Sequence, residues 1–74
     1  MRTERRLKMF RNLDAEQARN HMNNTDVAEY LGISRLAYER RKKSGKFTTF
    51  ESKKLCDLFK CPFEYLFETD EATA

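Results

Sequence analysis

A chain of 74 residues makes one small domain, which buries only roughly 60% of its unfolded surface and leaves little room for an enclosed active site. Hydrophobic residues make up 39% and charged residues 36%, too apolar for a disordered segment and suited to a packed helical domain; one proline and two glycines disfavour a turn-rich sheet. The net charge of +3 hides a sharper division: residues 1–11 carry +4, with five Arg or Lys against Glu4; residues 35–46 carry +5, with six against Glu39; residues 64–74 carry −4. Such a layout attracts a polyanion to one face and repels it from another.

Residues 1–8, MRTERRLK, form a basic extension ahead of a domain spanning 9–68, and a segment of this kind can follow a phosphate backbone. The first helix is expected at about 12–21. Asp14 and Glu16 sit where acids favour the helix dipole, and Phe10, Leu13, Ala15 and Ala18 supply its apolar face. His21 follows as a loop residue.

A second helix is expected at about 24–31, because Asn23 can cap it, Asp26 stands three residues on, and Met22 and Val27 occupy the staple positions. Val27, Ala28, Tyr30 and Leu31 form its stripe, Ala28 is small enough for a close helix crossing, and Gly32 supplies the terminal backbone freedom. Ile33 then anchors the turn and Ser34 caps a third helix at about 35–43. Ala37 and Tyr38 face inward on it, while Arg35, Leu36, Glu39 and Arg40 face outward. A basic run of Arg41, Lys42, Lys43 and Lys46 surrounds Gly45, which ends the helix in the left-handed conformation.

Thr48 and Glu51 match a capping box that opens a fourth helix at about 49–59, with Leu55, Leu58 and Phe59 inward and Phe50 and Cys56 near its edge. Pro62 fits the first turn of a fifth at about 63–67, bearing Phe63, Leu66 and Phe67. The aromatic group of Phe47, Phe50, Phe59, Phe63, Tyr65 and Phe67 is mostly core by this spacing. Residues 69–74 hold no large apolar side chain and are expected to fray. The fold class is therefore all-α, a bundle of five short helices without a sheet. Its expected core is Val27, Ala28, Leu31, Ile33, Tyr38, Leu55, Leu58, Phe59 and Leu66.

The stretch MNNTDVAEYLGISRLAYERRKKSGK has the layout of a helix-turn-helix. Its core, DVAEYLGIS followed by a helix, resembles the lambda-repressor and Cro-like (XRE) family. FRNLDAEQAR upstream is similar to the first helix of small phage members, and GKFTTFESKKLCDLFKCPFEYLFE downstream to their closing helices, so that the resemblance runs from about Met9 to Glu68. It implies a central helix-turn-helix that binds operator DNA as part of a phage lysogeny switch. By position, Arg35, Leu36, Glu39 and Arg40 match the residues that face base edges, and Asn24 and Ser34 those near phosphates at helix N-termini. The chemistry suits these roles: Arg donates two bonds to guanine, Glu accepts from cytosine, and an apolar group touches a thymine methyl. Arg41, Lys42, Lys43 and Lys46 would add salt-dependent phosphate contacts.

The chain departs from the family in three places. Leu36 stands where Gln is frequent, charge replaces the large apolar residue near Arg41 or Lys42 that pins the recognition helix, and the turn from Arg41 to Gly45 is one residue longer. A weakly pinned helix with an exposed leucine suits a protein surface, so a second reading makes the chain a modulator or antirepressor that binds a phage repressor protein through Arg35, Leu36 and Arg40. A second copy of the chain is a further candidate partner.

No Ser/His/Asp set or glycine-rich phosphate loop is present, so an enzyme is not expected. His21 is the only histidine and no CxxC pair exists, so neither a metal nor a cofactor is expected, and Cys56 and Cys61 read as small apolar core groups. Two cysteines without a secretory leader or an apolar span of ~20 residues point to the cytoplasm, with no membrane as partner.

Overall fold

The second, third and fourth helices start where capping side chains dictate. Asn23 Oδ1 accepts from the Asp26 N–H at 2.8 Å while Asp26 Oδ2 accepts from the Asn23 N–H at 3.0 Å, a complete capping box. Thr48 and Glu51 repeat the device at 3.0 and 3.1 Å, and Ser34 Oγ accepts from the Ala37 N–H at 3.0 Å. Caps of this type contribute about 1 kcal/mol each by satisfying orphan backbone donors. At the other ends, Gly32 and Gly45 take left-handed φ values of 79° and 78°, which a side chain would strain.

The computed structural model describes residues 9–69, and within them the chain forms α1 (Arg11–Arg19), α2 (Asn24–Leu31), α3 (Arg35–Ser44), α4 (Thr49–Phe59) and α5 (Phe63–Leu66), with no strand. This is the expected all-α bundle. The basic extension at 1–8, and the tail beyond Thr69, lie outside the described residues. α1 closes earlier than expected because His21 turns to a φ of 57°, and the N–H groups of His21 and Met22 fold back onto the carbonyls of Ala18 and Gln17. α2 packs on both α3 and α4, and α5 on α1 and α4.

The core holds Phe10, Leu13, Val27, Ala28, Leu31, Tyr38, Leu55, Phe59 and Leu66. Ile33 and Leu58 are half-buried and lean on it from outside. Two expectations fail. Ala15 and Ala18 are exposed, because the turn of α1 that carries Leu13 inward also carries Glu16 and Gln17 inward, and both of these are buried. Glu16 accepts from the Tyr65 hydroxyl at 3.0 Å, and Asn12 Nδ2 donates to the Tyr65 carbonyl at 2.8 Å, so polar bonds dock α5 on α1. A four-residue helix has no stability of its own and persists only because it is docked.

The aromatic group is also less buried than expected. Of its six members only Phe59 is buried, Phe47, Tyr65 and Phe67 are half-buried, and Phe50 and Phe63 are 66% and 56% exposed. Phe10 and Leu13, expected on the apolar face of the first helix, are both buried, and Phe10 meets Phe67 edge to face at 5.3 Å and Phe47 at 6.0 Å.

Candidate nucleic-acid interface

The turn between α2 and α3 is set by three residues. Gly32 reverses the chain, its N–H bonding the Glu29 carbonyl at 3.1 Å; the Ile33 N–H bonds the Ala28 carbonyl at 3.0 Å; Ser34 then opens α3. Ala28 is 1% exposed, so the close approach of the two helices uses the missing side-chain bulk. Tyr38 is the one fully buried side chain of α3, and the rest of the helix is left for the surface.

On that surface Arg35, Leu36, Arg40 and Lys43 are exposed, with Leu36 at 52%, and Lys46 is exposed just beyond the helix. These five expected site residues lie on or next to one helix. The other five are engaged within the protein. Ser34 spends its oxygen on the cap of α3. Arg41 Nε pairs with Glu51 Oε1 at 3.0 Å, which ties α3 to a buried carboxylate in the first turn of α4. Lys42, expected at a phosphate, is turned inward: its ammonium donates to Asp14 Oδ1 at 2.6 Å, Asn24 Oδ1 at 3.1 Å and Gln17 Oε1 at 3.2 Å, and lies 5.1 Å from the Tyr38 ring centre. Asn24 completes the set by accepting from Gln17 Nε2 at 3.1 Å and donating from Nδ2 to Glu39 Oε2 at 3.0 Å. Glu39 Oε2 also accepts from Arg35 at 2.8 Å.

This network replaces the apolar pin whose absence made α3 look loosely held. The Tyr38 hydroxyl donates to Gln17 Oε1 at 2.5 Å, so directional bonds fasten α3 to α1 and α2 in addition to the buried Tyr38 ring. Burial, and then the nearby Asp14 carboxylate, raise the Tyr38 phenol above its usual range. The bond from Asn24, and then that from Arg35, hold the Glu39 carboxyl below its usual value. Asp14 and Gln17 were missed as supports of the site. Their i, i+3 spacing on the inward side of α1 was visible, but their partner lies some 25 or more residues away and no local pattern announces it.

Two other features lie away from α3. Lys54 Nζ sits 4.9 Å from the Tyr30 ring centre and 5.4 Å from that of Phe50, and donates to the Tyr30 carbonyl at 3.1 Å. An open groove of about 650 Å³ between α4 and the start of α5 is walled by Phe47, Cys56, Cys61 and Phe63. Both cysteines are free and half-buried rather than core, and burial is the main cause that pushes each thiol up from its ordinary value. Among the described residues no group of three or more His, Cys, Asp or Glu could hold a metal ion, and no helix is long and apolar enough to cross a membrane. Set against family models, curated proteins and solved structures, the chain matches none of them.

Proposed function

We propose that the chain is a small helix-turn-helix transcriptional regulator of the lambda-repressor and Cro-like type, a phage switch protein that acts in the cytoplasm by placing α3 against operator DNA, alone or in a complex. The observation that carries this reading is the division of α3: Tyr38, Arg41 and Lys42 bind the helix to the domain, while Arg35, Leu36, Arg40 and Lys43 stay uncovered. Two guanidinium groups, one isobutyl group and one ammonium make a set able to read base edges and grip phosphate. In this reading Lys42 and Arg41 support the helix, and the phosphate contacts fall to Lys43 and Lys46. Gel-shift titration against the duplex beside the chain's own gene, with and without the neighbouring repressor, tests it; binding no tighter than to random duplex in both arms would remove it.

The exposure of Leu36 favours a second reading, in which α3 docks on a repressor protein with Leu36 as the apolar anchor between Arg35 and Arg40. Binding to the repressor that survives when DNA is absent would support it.

A further inference from the structure

Glu39 stands among the outward residues of α3, where a carboxylate is able to accept from cytosine. Its bonds point elsewhere. An exposed Arg–Glu pair four residues apart on a helix is ordinarily weak and does not hold either side chain still. Here the carboxylate is fixed from the protein side as well: the same Oε2 that accepts from Arg35 at 2.8 Å accepts from Asn24 Nδ2 at 3.0 Å. The Asn24 amide cannot turn over, because its oxygen faces Lys42 Nζ and Gln17 Nε2, both at 3.1 Å. A reversed amide would set hydrogens against those two donors. The chain of bonds therefore runs from the interior, through Asn24 and Glu39, to Arg35. Side-chain exposure rises along it, from 34% at Glu39 to 57% at Arg35.

We infer that Glu39 is a positioning residue rather than a base reader: it holds the Arg35 guanidinium in a set orientation, and Arg35 thereby selects guanine at one position of the duplex. This rests on the DNA-binding reading above and adds the base that is chosen and the residue that sets the choice. A guanidinium carries five N–H donors, and the bond to Glu39 uses one, which leaves a donor pair for guanine O6 and N7. Holding the fork in place before contact removes rotamer freedom that binding would otherwise have to remove.

The test selects preferred sites from a randomised duplex pool with the full chain, and repeats the selection with Arg35→Ala, Glu39→Ala, Glu39→Gln and Asn24→Ala. Wild type should enrich a motif with one guanine that Arg35→Ala loses, by about 10-fold or more in preference, the scale of one bidentate contact. Glu39→Ala and Asn24→Ala should relax preference at that same position by about 3-fold or more, an indirect loss smaller than removal of the reader. Glu39→Gln keeps an oxygen for Arg35 and should retain most of the preference. Both Glu39 variants should bind random duplex more tightly, since a negative charge has gone from the face. Melting curves confirm that each variant is folded. If Glu39→Ala alters a different position from Arg35→Ala, Glu39 reads a base itself and the inference fails. Failure follows equally if the Arg35 position selects a base other than guanine, or if Glu39→Ala leaves that position unchanged. If wild type enriches no motif at all, the DNA-reading function falls and the guanine assignment with it, an outcome distinct from the other three.

Discussion

α3 and α4 are of nearly equal length and are held in opposite ways. α4 buries Leu55 and Phe59 and leans Cys56 and Leu58 on the same core, so apolar area is its main hold, beside the ion pair of its buried Glu51 with Arg41. α3 buries Tyr38 alone and is fixed by the hydroxyl of that residue, by Arg41 on Glu51 and by Lys42 on Asp14, Gln17 and Asn24. Apolar contact is strong but tolerates small rotations, whereas hydrogen bonds are directional and weaken steeply when turned. A helix that presents side chains to a partner needs its rotation fixed and its surface free. Polar attachment along one narrow side meets both needs.

Leu55→Ala, on the apolar side of this contrast, should have the largest effect, about 2–5 kcal/mol of stability, because the residue is fully buried and its cavity cannot fill. Urea denaturation measures it, and an unchanged midpoint would mean that α4 is not held by area. Lys42→Met tests the polar side. It keeps the apolar stem but removes an ammonium only 17% exposed, and should cost about 1–3 kcal/mol by deleting its three charge-assisted bonds to Asp14, Gln17 and Asn24. Stability equal to wild type would place the ammonium in solvent.

Tyr38→Phe should cost about 1 kcal/mol near neutral pH and also change the alkaline limb of stability. The phenol is raised above its ordinary 10.0 in the folded chain, so the folded state keeps a proton that the unfolded state loses. Its contribution is complete below pH 10 and falls as pH rises toward the folded value. The variant should therefore lose stability less steeply above pH 10, with a residual slope from Tyr65, which its bond to Glu16 raises in the same direction. Parallel curves would show that the phenol is not buried with its proton.

The last two variants leave the attachment untouched. Leu36→Ala should leave stability within about 0.5 kcal/mol and weaken DNA binding by about 1 kcal/mol, or repressor binding by ~2 kcal/mol or more if that is the partner. Titration calorimetry against each separates the readings. Lys43→Ala should weaken specific and random duplex alike and flatten the salt slope by ~1, with no change in denaturation midpoint. A loss confined to the specific duplex would make Lys43 a base reader.

The helices were legible in the sequence to within a residue or two wherever a cap wrote the boundary, as with Asn23, Ser34, Thr48 and the two glycines. α1 has no side-chain cap at Phe10 and no glycine at its close, where His21 turns the chain instead, so neither of its boundaries was marked. Of the candidate site, the outward placement of Arg35, Leu36, Arg40 and Lys43 followed from helical spacing alone. The inward turn of Lys42 did not, since it depends on acceptors on two other helices, and sequence spacing carries no information about such distant pairs. The helix expected to be weakly pinned is held by polar bonds that sequence spacing does not show.

Met9 and Thr69 line one shallow hollow together with Ser44 and Gly45, and the position of a side chain on Gly45 is already filled by the Met9 sulfur. The two ends of the described domain thus stand side by side at the basic end of α3. A short linker joining them would suit circular permutation, with new termini opened at the turn between α4 and α5, far along the chain from the helix-turn-helix. For the same reason a fusion that begins directly at Met9 or Thr69 would start beside Ser44 and Gly45, next in sequence to Lys43 and Lys46.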